Sequence, residues 1–193
     1  MFASLLQLAK PTSETTVLDV GVTCDRRKDS NFFEKLYPYP YNITAVGLED
    51  ASFLEEEYPG LKFVQSDGLK LPFPDKSFDL VVSLAVIEHV GNREKQQAFI
   101  QELCRVGRTC CITTPNRWYP IEFHTVLPLI HWLPPHLFRW IIRRLGKKFW
   151  AKEENLNLLD IKELLSMFPD DENILCSHYK LLGIVSNLLI YKF

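Results

Sequence analysis

The sequence predicts an α/β fold, a three-layer sandwich on a mostly parallel sheet with an antiparallel hairpin at its C-terminal end. Five short apolar runs alternate with polar or helical segments, the pattern of buried parallel strands joined by right-handed crossovers. The runs are residues 16–20, 43–48, 61–65, 78–83 and 108–114. An acidic or small polar residue stands at or near the end of each of the first four. Because ligands of open α/β sheets bind outside the carboxyl ends of the strands, these residues predict one shared binding site.

Length and composition favour a single globular domain over residues 1–193. Hydrophobic residues make up 47% of the chain and charged residues 24%, which excludes a disordered protein. The formal net charge of −2 predicts no nucleic-acid partner. The sequence shows neither a signal peptide nor a run of about 20 apolar residues, so we expect a cytoplasmic protein.

The segments between the first strands read as helices. A short N-terminal helix ends before Pro11, and residues 30–36 form a helix with Ser30 as the predicted N-cap. Residues 52–58 form another helix, which a Pro-Gly pair ends. Residues 93–106 form a long amphipathic helix after the fourth strand. These helices complete the alternation expected of β-α-β units.

The character of the sequence changes after the fifth strand. Residues 116–152 form an insertion rich in aromatic, proline and basic residues. Within it, residues 135–146 predict a basic amphipathic helix, and residues 158–168 predict another amphipathic helix beyond it. The last stretch, residues 174–193, carries two strand-like runs around Gly183, which predicts a terminal hairpin on the sheet edge.

The five cysteines predict neither a disulfide framework nor a metal site. None belongs to a C-x-x-C pair, and none has a histidine partner at zinc spacing. Cys110 and Cys111 are adjacent in an apolar strand, where successive side chains face opposite sides. We therefore expect buried, reduced thiols and no metal ion.

Three carboxylates at strand ends indicate the kind of ligand. Asp19 lies two residues before Gly21, Glu49 follows the second strand and Asp67 follows the third. A carboxylate after the second strand suits a ribose diol, because two adjacent hydroxyls can donate to its two oxygens. Asp67 is placed to accept from an adenine amine, and Asp19 to act on an ammonium group. Together these groups describe S-adenosyl-L-methionine better than a nicotinamide dinucleotide, whose G-x-G-x-x-G pattern the chain lacks.

At these residues the chain resembles the class I S-adenosylmethionine-dependent methyltransferases, and within them the type 11 group. The segments that carry the resemblance are residues 17–21, 47–49, 66–73 and 78–90. The run from Asp67 to His89 fits the pattern D-G-x-x-L-P-F-x-D-x-S-F-D-L-V-x-S-x-x-V-I-E-H. The resemblance covers residues 16–115 and implies a Rossmann-like fold with S-adenosyl-L-methionine as cofactor.

The resemblance also implies roles for single residues. Glu49 would hold the ribose and Asp67 the adenine amine. The residues expected beside the adenine ring or the methionine moiety are Gly68, Leu69, Ser83, Leu84 and Ala85. His89 would face the transferred methyl group or the acceptor, which makes it a candidate catalytic residue. Glu88 stays open between a functional role and a solvated helix carboxylate, and Asp79 is expected to be a turn residue at a strand start.

The loop after the first strand departs from the family pattern Asp-x-Gly-x-Gly-x-Gly. Only the first glycine, Gly21, is present, and Val22 and Thr23 follow it. In one interpretation the loop takes another path, with Thr23, Asp25 or backbone amides at the methionine end and Asp19 and Gly21 still in the site. In the other, the chain is a non-catalytic binding or scaffold protein with the methyltransferase fold. The intact ends of the second, third and fourth strands favour the first.

The start of the insertion predicts the acceptor end of the site. Residues 113–125 leave the fifth strand on the ligand side of the sheet. His124 is a candidate general base there, with Glu122, Arg117 and Asn116 as polar anchors among aromatic residues. The alternative is ordinary packing of a crossover loop.

The basic stretch at residues 135–150 adds an expectation about the acceptor. Its apolar positions, predicted to share one helical face, are Leu137, Phe138, Ile141, Ile142 and Leu145. A basic amphipathic helix flanked by tryptophans can lie in a membrane interface, although it could equally cover its own sheet or a second subunit. Peripheral membrane contact would imply a lipid-linked acceptor. The sequence thus predicts methyl transfer to a small or lipid-linked acceptor, and it does not predict the oligomeric state.

Overall fold

A computed structural model describes residues 1–27, 30–169 and 173–193 of the chain. The helices are α1 (Phe2–Ala9), α2 (Phe32–Leu36), α3 (Phe53–Glu57), α4 (Arg93–Val106), α5 (Pro135–Arg144) and α6 (Ile161–Leu165). The strands are β1 (Val17–Val20), β2 (Ile43–Gly47), β3 (Lys62–Gln65), β4 (Phe78–Leu84), β5 (Gly107–Pro115), β6 (Ile121–Glu122), β7 (Leu127–Pro128), β8 (Ile174–Leu181) and β9 (Ile184–Lys192). Short 3₁₀ turns lie at Pro40–Asn42, Ile87–His89 and Ile130–Trp132.

Seven strands form one sheet in the order β3-β2-β1-β4-β5-β9-β8. The strands from β3 to β5 are parallel, whereas β9 and β8 run antiparallel at the edge. This topology confirms the predicted fold. The strand order reverses between β1 and β4, and the carboxyl ends on either side of such a reversal form the usual ligand crevice of an open α/β sheet.

Helices cover both faces of the sheet, because successive side chains of its central strands point to opposite sides. On β4, Val81 packs in the core beneath α4 and α6, whereas Leu80 and Val82 pack in the core beneath α1, α2 and α3. Cys110 and Cys111 of β5 divide between the two cores in the same way, and both are buried free thiols as expected. The result is a helix–sheet–helix sandwich.

Helix α4 occupies the predicted residues and has clear local signals for doing so. Asn92 is its N-cap, and the Asn92 side chain accepts the backbone N–H three residues further on at 3.0 Å. Phe99, Ile100 and Leu103 form its buried stripe against the sheet. Both the N-cap and the apolar face therefore fix the position of α4 between β4 and β5.

The insertion has a small core of its own beside the sheet. Phe138 and Ile142 of α5 pack there with Ala151, Leu156 and Leu158. The predicted apolar face of α5 is only partly buried, because these two positions pack inward whereas Leu137 and Leu145 lie toward solvent. Those two residues are 43% and 55% exposed. Among the described residues, no helix combines the length and apolar character that a bilayer crossing requires.

A buried glutamine joins this insertion to the sheet layer. The Gln96 side-chain amide of α4 donates to the carbonyl oxygens of Ile87 at 2.9 Å and Asn157 at 2.8 Å. The Asn157 backbone N–H in turn donates to the Glu88 carbonyl at 2.7 Å. The segment after α5 is thereby fixed against the turn that follows β4.

The starts of α2 and α6 differ from the sequence-based expectations. The N-cap of α2 is Asn31 and not Ser30; Asn31 has a φ of 49°, a left-handed conformation that asparagine tolerates better than most residues. Helix α6 begins only after Asp160, whose carboxylate forms a capping box with Glu163. It is therefore shorter than predicted, and Leu165 at its end is 37% exposed.

Candidate functional site

A cavity of about 890 Å³ opens at the carboxyl ends of β1, β2 and β4, a size that suits a cofactor or drug-sized ligand. The predicted cofactor-binding residues that line it are Asp19, Gly21, Thr23, Glu49, Asp67, Gly68, Leu69, Leu84 and Ala85. Ser83 is fully buried, and its hydroxyl donates to the Val20 carbonyl at 2.9 Å. Its side chain thus supports the wall from behind.

Two exposed carboxylates face this cavity from adjacent strand ends. Glu49 follows β2 and Asp67 follows β3, and these strands pair in parallel register. The Cys24 thiol donates to Glu49 Oε2 at 2.7 Å, and this hydrogen bond raises the pKa of the thiol. Asp67 Oδ1 accepts the Leu69 N–H at 2.9 Å, which fixes the orientation of the carboxylate. The two acidic groups therefore lie where a ligand with several hydroxyl or amine donors could meet both.

Two glycines allow close approach at the cavity wall. Gly21 has a φ of 117°, and a Cβ there would lie 2.2 Å from Val86 Cγ2. A Cβ on Gly68 would lie 2.5 Å from the Phe99 ring. A larger residue at either position would move a neighbouring side chain, so both positions require glycine for packing.

The loop after β1 turns against β2, although it lacks the later glycines of the Asp-x-Gly-x-Gly-x-Gly pattern. The backbone N–H groups of Gly21 and Val22 both donate to the Val46 carbonyl, at 2.8 Å and 3.1 Å. The Asn31 side chain then holds Thr23, accepting from its N–H at 2.9 Å and donating to its carbonyl at 2.8 Å. The β-branched residues thus fit a turn against β2 that Asn31 closes.

A buried pair of carboxyl groups lies at the inner end of the cavity. Asp19 is 6% exposed and Glu34 of α2 is 1% exposed, and both line the cavity. Burial and, next, the neighbouring Glu34 carboxylate raise the pKa of Asp19 well above its usual value; burial likewise raises the pKa of Glu34. Neither Glu34 oxygen has a hydrogen-bond partner within the described part of the chain. The pair therefore favours a retained proton or a cationic ligand.

Glu34 was not among the predicted site residues. The sequence shows only a glutamate in the first turns of a helix, where it usually supports the helix dipole. Its burial arises from the packing of α2 against β1, and no local pattern around it reports that packing.

His89 ends the 3₁₀ turn after β4 and lines the cavity, as the resemblance implied. Its Nδ1–H donates to the Asn155 carbonyl at 2.7 Å, which leaves the lone pair on Nε2. The His89 ring contacts the rings of His124 and Trp150, at centroid distances of 4.8 Å and 5.9 Å. The turn and these contacts fix the orientation of the imidazole.

His124 lies against His89, one ring further from the cavity. Its Nδ1 bonds Glu122 Oε1 at 2.7 Å, and the buried Glu122 also accepts the N–H groups of His124 and Thr125. Burial acts to raise the pKa of Glu122, but these hydrogen bonds outweigh it and lower the pKa to about 2. Burial acts to lower the pKa of His124, and the bond to Glu122 outweighs it and raises that pKa. His124, the predicted general base, is thus hydrogen-bonded to a carboxylate that is ionised at neutral pH.

Glu88 is fully buried, so the interpretation as a solvated helix carboxylate is wrong. Its backbone follows β4 into the interior because the Ile87–His89 turn packs under the insertion. Glu88 Oε2 accepts the Thr114 hydroxyl at 2.9 Å, whereas Oε1 has no hydrogen-bond partner among the residues described. Burial raises the pKa of this carboxyl group.

Three further residues singled out in the sequence have structural partners. Asp79 is the second residue of β4 and not the expected turn residue; its Oδ2 accepts the Thr16 N–H at 3.0 Å and the Thr16 hydroxyl at 2.8 Å. The Asn116 amide donates to the Val185 carbonyl at 2.9 Å and so joins the insertion to the terminal hairpin. The Arg117 guanidinium lies over the Trp118 ring.

Comparison with known proteins shows which family the chain resembles. Residues 29–109, less than half of the chain, match the family model of the type 11 methyltransferase domain. Over these residues the chain is similar to S-adenosylmethionine-dependent methyltransferases. S-adenosyl-L-methionine is therefore the cofactor against which the residues of the cavity are compared.

Two curated relatives share part of their sequence with this chain. A Mycobacterium tuberculosis protein named “Probable S-adenosylmethionine-dependent methyltransferase” is 36% identical over 80 residues, 40% of this chain and 26% of the relative. The 2-methyl-6-phytyl-1,4-hydroquinone methyltransferase of Synechocystis is 32% identical over 126 residues, 63% of this chain and 37% of the relative. The chain therefore matches well under half the length of these relatives.

Solved structures agree on the fold. The N-methyltransferase NodS from Bradyrhizobium japonicum, in complex with S-adenosyl-L-homocysteine, has a TM-score of 0.58. The match covers 99% of this chain and 84% of NodS at 13% sequence identity. At that identity the likeness concerns the fold alone.

The cavity residues fit S-adenosyl-L-methionine, the cofactor of the methyltransferases that the chain resembles. Glu49 and Asp67 are acceptors for hydroxyl and amine donors, and Gly68 leaves room for a flat ring between them. The unpartnered Glu34 oxygens beside Asp19 offer buried negative charge to an ammonium group. Each polar part of S-adenosyl-L-methionine thus has a complementary group in the cavity.

Proposed function

We propose that this protein transfers a methyl group from S-adenosyl-L-methionine to a small or lipid-linked acceptor. The observation that carries the proposal is the set of carboxyl groups around one cavity at the strand reversal: Glu49 and Asp67 exposed, Asp19 and Glu34 buried. A pocket for a neutral ligand would not need buried charge, since burying a carboxylate is costly without a partner.

In the proposed complex, Glu49 accepts from the ribose hydroxyls and Asp67 from the adenine amine. Leu69 and Gly68 flank the adenine ring. Asp19 and Glu34 face the ammonium group, and Leu84 and Ala85 lie along the methionine side. When bound, the cofactor supplies an activated methyl group on its sulfonium.

The role of the chain in the reaction is mainly to hold two molecules in line. Displacement at a sulfonium methyl requires the acceptor atom opposite the leaving sulfur, so fixed geometry supplies much of the acceleration. Phe149 brings an apolar wall from the insertion to the cavity, on which an acceptor can lie. His89 Nε2 is available to take a proton from acceptors that must lose one.

A lipid-linked acceptor is supported by the surface of the insertion. Its exposed large apolar residues include Leu129, Trp132, Leu133, Leu137, Trp140, Leu145 and Phe149. Phe149 belongs both to this surface, where it is 61% exposed, and to the cavity wall. The Synechocystis relative supports the same class, because its name specifies a hydroquinone with a phytyl chain.

Calorimetric titration with S-adenosyl-L-homocysteine tests the donor site. We expect affinity near the micromolar range for the wild type, and a loss of roughly 10- to 100-fold in Glu49→Ala and in Asp67→Ala, as expected when a charged hydrogen-bond acceptor is removed. Glu56→Ala is the matched control, because Glu56 is an exposed carboxylate on α3 and lies outside the cavity wall. It should bind like the wild type.

The same titration separates the enzyme from its alternative. The altered loop after β1 is the observation that favours a non-catalytic binding or scaffold protein. A folded wild type that binds neither S-adenosyl-L-homocysteine nor S-adenosyl-L-methionine would overturn the proposed activity and support the scaffold.

A further inference from the structure

Three potential metal ligands converge beside the cavity. One carboxylate oxygen of Glu88 and one ring nitrogen each of His89 and His124 lie within 4.8 Å of one another. They come from two segments, the turn after β4 and the loop between β6 and β7. Two imidazoles and one carboxylate are a donor set that first-row divalent metals use in proteins.

Both histidines are held by a hydrogen bond at Nδ1. The Nδ1–H of His89 donates to the Asn155 carbonyl and that of His124 to the Glu122 carboxylate, each at 2.7 Å. The lone pair of each ring is then on Nε2. An N–H bond to a carbonyl or carboxylate is the usual outer-shell arrangement of a metal-binding histidine, because it fixes both tautomer and ring orientation.

Glu88 provides a second, independent observation that points to a ligand at this cluster. The residue is fully buried, and its Oε1 has no hydrogen-bond partner in the described chain, although Oε2 accepts the Thr114 hydroxyl. An unsatisfied buried carboxylate oxygen is costly, and it is rare unless an ion or water completes it. The same carboxylate supplies the oxygen that lies within 4.8 Å of a ring nitrogen of each histidine.

We propose that Glu88, His89 and His124 bind a divalent transition-metal ion of the zinc or iron(II) kind. Ligands of one tetrahedral ion at usual metal–ligand distances lie roughly 3.4 Å apart. The widest pair, at most 4.8 Å apart, would therefore close by up to about 1.4 Å on binding, a movement within the reach of side-chain rotation. The ions that carbonyl and carboxylate sets select, magnesium and calcium, are disfavoured by the two imidazoles.

The ion would also define the acceptor class, and this part rests on the proposed methyl transfer. His89 belongs both to the metal cluster and to the cavity wall, so a bound ion lies at the edge of the cavity. Three protein ligands leave a coordination position open for an acceptor hydroxyl, whose pKa a metal ion lowers. With the ion bound, the His89 Nε2 lone pair is a metal ligand and not a proton acceptor, so the hydroxyl proton passes to solvent. The oxygen forms the new C–O bond, and the C–S bond pair stays on the sulfur.

Cobalt(II) is the probe for the site, because its visible absorption reports nitrogen and oxygen coordination. The full chain is stripped with a chelator and titrated with Co²⁺, and separately with Zn²⁺ by calorimetry, with no methyl donor present. We expect one equivalent to bind and to produce absorption bands that Zn²⁺ abolishes. His124→Ala and Glu88→Gln should weaken binding at least 10-fold, and Glu122→Gln by about 10- to 100-fold, as for other outer-shell carboxylates.

Two controls keep the outcome unambiguous. His136→Ala removes an exposed histidine of α5 and should leave the Co²⁺ affinity unchanged. Each variant is also titrated with S-adenosyl-L-homocysteine, so that a folded protein with lost ion binding is distinguished from an unfolded one. A wild type that binds no stoichiometric Co²⁺ or Zn²⁺, or a folded His124→Ala variant with unchanged affinity, would overturn the metal site.

The acceptor class has its own readout. Acetohydroxamate, a small oxygen chelator, should shift the Co²⁺ bands of the wild type if a coordination position is open, and unchanged bands would overturn the open position. Loss of the proposed function would look different: the Co²⁺ bands would form while S-adenosyl-L-homocysteine failed to bind.

Discussion

At the scale of single residues, Asp19 and Glu34 have the least ordinary environment in the chain. Two carboxyl groups are buried side by side, and α3 adds Glu57 and Tyr58 as further titratable neighbours of Glu34. The pKa values of both carboxyl groups are raised, so the folded state prefers a protonated form that the unfolded chain gives up at lower pH. The free energy of unfolding therefore falls as pH rises above the ordinary carboxyl pKa range of about 4 toward the raised values.

Glu34→Gln should remove this pH-dependent loss. The substitution keeps the shape of the side chain and removes one of the two ionisable groups. We expect the variant to gain stability relative to the wild type, with a larger gain at pH 8 than at pH 5. Urea unfolding at both pH values measures the difference.

Glu56→Gln is the control for that measurement. It changes the net charge by the same amount at an exposed position of α3. Its stability relative to the wild type should vary little between pH 5 and pH 8. If the difference in unfolding free energy between Glu34→Gln and the wild type is also constant with pH, ionisation of the pair does not destabilise the fold.

Some site residues could be predicted from the sequence and others could not. Glu49 and Asp67 could be predicted because each follows a recognisable strand, and strand ends of a parallel sheet converge. Glu34 and the buried Glu88 could not. Both are charged residues in short helical turns, and only the packing of those turns against other segments decides that their carboxyl groups are buried.

At the scale of elements, α4 supports both the sheet and the insertion. Its cap Asn92 satisfies a backbone N–H at the first turn, and its buried Gln96 bonds the segment after α5. Asn92→Ala should therefore cost about 1 kcal/mol of unfolding free energy. Urea titration measures it, with Gln97→Ala, an exposed change in the next turn of the same helix, as the near-neutral control. Equal stabilities would mean that the cap contributes nothing.

The boundaries of α4 were predicted to the residue, whereas those of α6 and the inward face of α5 were not. Helix α4 has a long apolar stripe and a capping asparagine, and both are local signals. On α5 the apolar residues span a broad part of the helix surface, so the sequence alone does not say which of them turn inward. The small core built with Ala151, Leu156 and Leu158 selects Phe138 and Ile142.

At the scale of the whole molecule, the outward side of α5 forms a basic and apolar surface. Residues 135–152 contain six basic and no acidic residues. Trp140 is 58% exposed among them. Such a surface is complementary to anionic lipid, where each nearby lysine or arginine contributes about 1 kcal/mol.

We expect the protein to sediment with vesicles that contain phosphatidylglycerol and not with pure phosphatidylcholine, and the binding to weaken as salt increases. Trp140→Ser should reduce the bound fraction. Leu182→Ser, in the turn of the terminal hairpin, removes a residue that is 90% exposed and should leave it unchanged. Equal sedimentation with both lipids, or an unaffected Trp140→Ser variant, would contradict peripheral binding through this surface.

The cluster of Glu88, His89 and His124 shows why a spacing search misses a site of this kind. The rule for zinc looks for ligands a few residues apart, whereas here 34 residues separate the two histidines along the chain. The sheet topology brings them together, because the turn after β4 and the crossover after β5 leave neighbouring parallel strands at the same edge. The two histidines could have been predicted to meet only by combining the residues that follow successive parallel strands.

The small separate core of the insertion has a consequence for how this protein can diversify. The carboxylates assigned to the donor lie before residue 70, whereas the apolar surface assigned to the acceptor lies beyond residue 116. The two parts meet at His89 and through the amide of Gln96. Mutations can therefore accumulate in the insertion and change which molecules are accepted while the donor half is inherited intact, so that new specificities arise one half at a time.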